Sequence, residues 1–313
     1  MSGGFDLDFD DVGRAIGDAV AQLCRDHCSE DQVKALTGEF PKALFGLLAE
    51  LGVFGLCTPE GEGGPIELVA AAEALGHAVF PGPLAATVLA TQLLSDGERE
   101  AVAAGEVVVS LGAPPLLPWA PYAQIFIEID AGRAWLGRPT EAIEPVDTLG
   151  GEPWGRAMLA RERDLGDARA ALALHDTFLA AYLAAAGLRL VGDASEHART
   201  RVQFGKAIGE FQAVALPLAE CRIRLDAAQG LARAAAYQIE VGAASAREDA
   251  AAARLSAATA AVQTAYVGHQ SFGAQGITLE GPVFHITRRI RQLASQPPGP
   301  EPARAALLAE LGL

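Results

Sequence analysis

Three stretches rich in alanine and leucine, residues 170–202, 213–240 and 246–271, dominate the second half of this 313-residue chain. Ala and Leu stand high in intrinsic helix propensity, so each stretch reads as one long helix. The links between them are short: Arg201 to Gln212 is one, and Gly242-Ala243-Ala244-Ser245 centres the other. Long apolar-rich helices with short links describe a bundle. A further helix is expected near Pro282, because proline suits the first helical turn. The Pro-rich run from Gln296 then reads as a linker before a short amphipathic helix, Ala303 to Leu311.

The first hundred residues are helical by periodicity. Val12, Ile16, Val20, Leu23 and Cys24 form an apolar stripe within residues 8–30, and Phe40, Leu44, Leu47, Leu48 and Leu51 form another within 40–51. Glycines around Gly52, Gly55 and Gly61 to Gly64 mark a loop. Helices from Glu67 to about Val79 and from Leu84 to about Leu94 follow, separated by Pro81-Gly82-Pro83. Between about residues 100 and 165 the texture changes. Val107–Leu111, Gln124–Ile129 and Ala134–Gly137 read as short strands between Pro- and Gly-rich turns. Trp119, Trp135 and Trp154 in this region read as core or turn packing.

The expected fold is therefore mostly α with a short β segment in the middle. Residues 1–98 form an N-terminal helical domain, 99–166 the middle β segment, 167–295 a C-terminal bundle of four-helix type, and 296–313 a Pro-rich tail and short helix. A formal charge of −15 argues against nucleic acid or an anionic membrane as a partner. No uninterrupted apolar run is long enough to span a bilayer. Met1 to Asp6 shows no basic segment leading into an apolar one, so a secretory signal is not expected and the cytoplasm is the simple location. Cys24, Cys28, Cys57 and Cys221 lack paired metal-ligand spacing, no His-Glu-x-x-His run occurs, and no metal is expected. Cys24 and Cys28, four apart, read as buried thiols.

The link from Arg201 to Gln212 concentrates chemistry. Arg201 offers a planar fork of donors suited to phosphate or carboxylate. Phe204 and Phe211 are flat apolar surfaces, Gln212 both donates and accepts, and Gly205 and Gly209 permit unusual backbone angles. An inter-helix loop with a conveniently placed Arg also fits these features. The run R-x-Q-F-G-x-x-I-G-x-F-Q, however, resembles the signature of the C-terminal helical domain of the acyl-CoA dehydrogenases. In that family the loop crosses a subunit interface and holds the pyrophosphate and adenine side of an FAD bound mainly by the neighbouring chain. The resemblance assigns Arg201, Gln203, Phe204 and Gln212 to that role.

A second run, from Gln270 through Gly273, Ala274 and Gly276 to Glu280 and Val283, is similar to the family's Q-x-x-G-G-x-G-x-x-x-E-x-P-V motif. Carried over by position, Gln270, Gly273 and Ala274 would face the same FAD, with Ala274 where the family usually has glycine. The order Leu51-Gly52, Gly55-Leu56, Pro59-Glu60, glycine-rich loop and helix resembles the family's N-terminal domain. Two features are missing. Neither the T-E-x-x-x-G-S-D loop nor the K-x-W-I-T-N strand that wraps the flavin ring is present, so the resemblance implies a mostly α fold with a reduced β-domain, truncated over residues 99–166. The family's α-proton abstraction needs a carboxylate base, yet Gln292–Gly299, where most members carry it, holds no acid. A minority place the base at the start of the helix leading into Arg201, where this chain has His175-Asp176. Asp176 falls one position late and reads as surface or helix-capping.

The retained loops beside the missing base resemble the smaller, non-catalytic subunit of the α2β2 acyl-CoA dehydrogenases of actinobacterial steroid degradation. That resemblance implies FAD as cofactor, no catalytic residue in this chain, and a longer catalytic partner that binds most of the acyl-CoA, with steroid-derived thioesters among its substrates. Two other readings stay open: a self-sufficient enzyme using Asp176, Glu280 or another acid in an unusual geometry, and a flavin-free helical scaffold. Arg288, Arg289 and Arg291 read as a solvated or salt-bridged helix face rather than a nucleotide contact.

Overall fold

The computed structural model describes residues 7–36, 38–279, 281–299 and 308. Its N-terminal part is helical: α1 (Asp11–His27), α2 (Glu30–Ala35), α3 (Lys42–Glu50), α4 (Pro65–His77), α5 (Leu84–Leu93) and α6 (Asp96–Ala103). Asp10 caps α1 by accepting from the Gly13 N–H at 2.9 Å, the usual way an orphan amide at a helix start is satisfied. The Glu67 carboxylate accepts the Gly64 N–H at 2.8 Å and fixes the entry to α4, with Pro65 in its first turn. The single helix expected over residues 8–30 ends at His27, because Cys28 leaves helical geometry (φ −120°, ψ 46°). Cys24 and Cys28 are both buried, as expected. The polar, charge-rich α6 lies where the expected boundary placed a change of texture, and no apolar stripe announces it.

Seven strands follow: β1 (Val109–Gly112), β2 (Leu116–Pro118), β3 (Ile125–Asp130), β4 (Arg133–Pro139), β5 (Glu144–Val146), β6 (Trp154–Arg156) and β7 (Leu159–Asp167). They form one sheet of order β1-β3-β4-β7, in which only β1 and β3 run parallel, and a smaller antiparallel sheet of order β2-β6-β5. Three of these strands were expected. β7 escapes notice because Arg161, Glu162, Arg163 and Asp164 give it no apolar alternation. It is held instead by ion pairs across the sheet, Arg161 to Glu128 and Asp130 at 2.7 and 2.8 Å and Arg138 to Glu162 at 2.6 Å. Charges on an edge strand also discourage pairing with other chains.

The remainder is a bundle of α7 (Arg169–Thr200), α8 (Gln212–Glu240), α9 (Ala246–Phe272) and α10 (Pro282–Ser295). These agree with the helices read from composition. The helix expected over 303–311 lies, apart from Leu308, outside the described residues, as does Glu280. Among the described residues α7 alone is long and apolar enough to cross a membrane, and 94% of its apolar window is buried inside the fold. Its faces meet α4, α5, α8 and α9. A continuous core runs from Val20, Leu48 and Leu75 through Phe178 and Leu183 to Leu225, Ala257 and Ile290. Small side chains set its spacing: Ala250, Ala253, Ala257, Ala260 and Ala261 line the inner face of α9.

α4 approaches α7 closely at Gly76, where a Cβ would stand 2.2 Å from the Tyr182 carbonyl oxygen. Backbone cannot yield there as a flexible side chain could, so overpacking outweighs the helix propensity gained by alanine. Gly76→Ala is expected to destabilise the chain by roughly 1–3 kcal/mol, read as a lower urea midpoint with an unchanged slope.

Candidate functional site

α7 and α9 run in one direction and α8 in the other, so the C-terminal ends of α7 and α9 and the N-terminal end of α8 share one end of the bundle. The link from Arg201 to Gln212 crosses this end. Its first part is a hairpin of β8 (Val202–Gln203) and β9 (Lys206–Ala207). Phe204 and Gly205 make the two-residue turn with φ of 52° and 81°, the pair of positive angles that suits a tight hairpin. Glycine adopts such angles freely, whereas phenylalanine at φ > 0 is strained by roughly 1–2 kcal/mol. Phe204 is nevertheless 93% exposed. A strained residue with its ring almost wholly in solvent recovers little of that cost within this chain.

The hairpin itself is well anchored. The Ile208 N–H donates to the Arg201 carbonyl at 2.9 Å, and the Ala207 N–H donates to the Glu210 carboxylate at 3.1 Å. Phe211 packs edge-on to Phe204 at 6.3 Å between centroids, and the Lys206 ammonium lies 4.3 Å from the Phe211 ring centre. Arg201 is exposed and pairs with no carboxylate among the described residues. Gln203 is exposed, and its amide donates to the neighbouring Val202 carbonyl at 2.7 Å. Gln212 begins α8 and is exposed, where the first N–H groups of a 29-residue helix favour an anion.

The second motif lies at the same end. Gln270, Gly273 and Ala274 are all exposed. Gly273, with φ 60°, ends α9 and starts the tight turn Gly273–Ile277, and Gly276 packs so closely that a Cβ would stand 2.9 Å from the His269 carbonyl. His197 of α7 stacks on Phe272 of α9 with centroids 4.3 Å apart, which ties the two motifs together. The structure thus gathers Arg201, Gln203, Phe204, Gln212, Gln270, Gly273 and Ala274 at one exposed end. The basic Lys206 and the His197–Phe272 stack were not singled out from the sequence; His197 stands one helical turn before Arg201, which is the only signal it gives.

Deep in the fold, Asp176 corrects an expectation. It is neither on the surface nor a cap but is 2% exposed. Arg254 donates to one carboxylate oxygen at 2.5 Å and Arg247 to the other at 2.7 Å, while His175 Nδ1 lies 3.0 Å away. The second arm of Arg254 donates to the Gln296 carbonyl at 2.9 Å. The start of α7 and the segment after α10, far apart in sequence, therefore converge on one guanidinium. Burial alone would raise the Asp176 carboxyl, but Arg254, His175 and Arg247 override it and hold it well below the ordinary 3.8. Burial pushes the adjacent His175 imidazole down.

Of the arginines of α10, Arg291 is exposed as expected, whereas Arg289 is salt-bridged in the interior rather than on a helix face. Arg289 is buried and donates to the carbonyls of Gly82 and Phe80 at 2.9 and 3.2 Å and to the Tyr182 hydroxyl at 3.2 Å, and it pairs with Glu152. Burial lowers its pKa. Arg291 donates to the Tyr266 hydroxyl at 2.9 Å. Trp119 is buried and packs edge-on to Phe40, and Trp135 lies under Arg161, as packing residues would. Trp154 instead lines an open cleft between the small sheet and α10, with Arg288 and Arg291 on the opposite wall.

Replacing Asp176 by Asn leaves two guanidiniums facing no charge, and this is expected to destabilise the chain by roughly 3–5 kcal/mol. A carboxyl held low in the folded state contributes stability above its unfolded value of 3.8 and loses it as pH falls through the folded one. The stability gap between wild type and Asp176→Asn, measured in urea, should therefore be widest at neutral pH and shrink below about pH 4.

Comparison with known proteins bears on both the core and the open end. The family model described as the acyl-CoA dehydrogenase C-terminal domain matches residues 166–295, and that of the N-terminal domain matches residues 11–102. The acyl-CoA dehydrogenase FadE34 of Mycobacterium tuberculosis is 32% identical over 237 residues, which is 62% of this chain but 32% of that protein. The chain thus spans about a third of the length of this relative. The acyl-CoA dehydrogenase IpdE2 of the same organism is 29% identical over 282 residues, 84% of this chain and 86% of that one. Among solved structures, the ChsE4-ChsE5 complex from M. tuberculosis aligns with a TM-score of 0.84 at 21% identity, covering 98% of this chain and 99% of that one. PigA with FAD and proline aligns with a TM-score of 0.84 at 18% identity, covering 99% and 100%. The two family models together take in the helices on both sides of the sheets, and the chain belongs to the acyl-CoA dehydrogenase family.

Proposed function

We propose that this chain is a cytoplasmic subunit of a heteromeric, FAD-dependent acyl-CoA dehydrogenase, in which it completes the FAD site of a longer catalytic partner and supplies no base of its own. The observation that carries the reading is the contrast between the two ends of α7. At one end, the residues that match the family's FAD-contacting motifs stand exposed, and the Arg201 guanidinium pairs with no carboxylate among the described residues. At the other, the one acid near the family's base positions is locked between two arginines.

The open end has the chemistry an FAD diphosphate needs. Arg201 is a fork donor without an acid to satisfy it, Lys206 adds a second positive charge, and the start of α8 points N–H groups the same way. Gln212 and Gln270 offer amide donors and acceptors to the adenosine side, with Gln203, Gly273 and Ala274 lining the approach. Phe204 supplies a flat apolar ring for a partner surface or for the adenine. FAD, when bound, accepts the hydride that leaves the β-carbon of the thioester. This chain's part is to hold the dinucleotide's anionic half and exclude water from it.

The base argument rests on proton affinity. A general base must accept a proton near neutral pH, and a carboxylate held by Arg254 and Arg247 does so poorly. Asp176 is also buried, with both oxygens already engaged. The relatives named for heteromeric assembly, ChsE4-ChsE5 among them, support a partner. The α2β2 arrangement, a steroid-derived thioester and the division of the chain at residues 98, 166 and 295 belong to the same proposal.

Two substitutions test the cofactor assignment in the complex formed by co-expression with the longer family member. Arg201→Ala removes a charge-assisted hydrogen bond of about 1.5–3 kcal/mol, so flavin retention should fall by roughly 10- to 150-fold; unchanged flavin content would refute the role. Phe204→Asn should behave oppositely in the two settings. The isolated chain should gain about 1 kcal/mol, because Asn tolerates φ > 0, while assembly or flavin retention weakens. A variant that assembles and retains flavin as wild type does would remove Phe204 from the interface.

A further inference from the structure

The two exposed motifs come from different helices, and what holds them in register is a feature that neither motif contains in full. His197 lies in the last turn of α7 and Phe272 is the last residue of α9. Their rings are stacked, with centroids 4.3 Å apart and planes within 17°. The His197 carbonyl accepts the Arg201 N–H at 2.9 Å, a backbone bond that closes the last turn of α7 just before the hairpin. Phe272 immediately precedes Gly273, whose positive φ launches the second motif.

At the stack sits a small apolar cluster that shares Val267 and Phe272 with the main core. Ala194 and Ala198 of α7 and Leu218 of α8 are buried in it, and Ile208, Val214, Val267 and Phe272 pack around them. Gly209 brings the turn Ile208–Glu210 down onto α7, where a Cβ would stand 3.1 Å from the Ala198 carbonyl. Both motifs therefore rest on one platform, and the stacked rings bridge α7 to α9 across its top. Burial and then the Arg201 charge push the His197 imidazole below its ordinary value. A neutral ring stacks on phenylalanine without adding a second cation beside Arg201.

We infer that His197 and Phe272 are a positioning pair, which sets the Arg201 guanidinium against the Gly273–Gly276 backbone so that both reach one dinucleotide diphosphate. The inference rests on the reading of this end as an FAD contact, but it makes a claim about the chain alone: the two motifs open together or not at all. A diphosphate spans only a few bond lengths, so a donor on one loop and amides on another serve it jointly only if their separation is fixed.

The test uses hydrogen exchange of the full chain, followed by mass spectrometry. In His197→Ala, amides of residues 201–212 and 270–279 should both exchange faster, by roughly three- to tenfold as the aromatic contact is lost, while amides of the α4–α7 core keep their wild-type rates. His197→Phe should restore both segments, because the role needs a ring and not a proton; Phe272→Leu should loosen both as His197→Ala does. Acceleration of one segment alone, acceleration throughout the core, or failure of His197→Phe to rescue would overturn the inference. Flavin retention in the complex separates the two levels. His197→Ala and Arg201→Ala should both lower it. Loss with Arg201→Ala but not with His197→Ala sinks the positioning pair alone, whereas no loss with either sinks the FAD reading beneath it.

Discussion

The buried carboxylate of Asp176, clasped by Arg254 and Arg247, is the constraint on which the functional account depends. Two charges of one sign and one of the other are buried or half-buried there, and only close hydrogen-bonded contact makes that tolerable. Arg254 does more than neutralise Asp176. By also bonding the Gln296 carbonyl it ties the start of α7 to the segment after α10. In the acyl-CoA dehydrogenase family those are the two places from which a base is drawn. Under the proposed function, the same convergence is filled here by an ion pair that holds the bundle closed instead of aiming a carboxylate at a thioester.

α7 connects that locked point to the open end. It is 32 residues long, which spans roughly 48 Å at 1.5 Å per residue. Its first two-thirds are buried on all sides, and its last turns emerge to carry His197 and Arg201. A rigid helix seated on alanine-lined neighbours fixes the position of its exposed tip without help from the tip itself. Arg289 adds a second tie, gathering the carbonyls of Phe80 and Gly82, the Tyr182 hydroxyl and the Glu152 carboxylate about one buried guanidinium. The N-terminal helices, the sheets and the bundle thus share buried polar contacts as well as an apolar core.

Much of the fold was legible in the sequence, for a simple reason: alanine and leucine runs declare long helices, and proline and glycine declare their ends. The bundle helices, and the strands β1, β3 and β4 with their apolar alternation, could all be read this way. β7 and α6 could not, because cross-strand ion pairs and solvated turns leave no apolar period. Burial of charge was the harder matter. Asp176 and Arg289 look like surface residues in a one-dimensional reading, since nothing local reveals that Arg254, 78 residues away, or Glu152 will meet them. At the open end the motif residues were legible as types and spacing. The strain at Phe204, with a positive φ and a fully presented ring, is visible only in three dimensions.

The same contrast gives the fold its functional sense. In the proposed reading, a family scaffold with a shortened middle sheet keeps an outward-facing anion platform while its interior acid is withdrawn from proton transfer. The most direct measurement is dye-coupled dehydrogenation of an acyl-CoA, together with the flavin absorbance, for the chain purified alone and in complex with the longer family member. The account predicts neither turnover nor retained flavin from the chain alone and both from the complex; a yellow, fully active protein made of this chain only would contradict it.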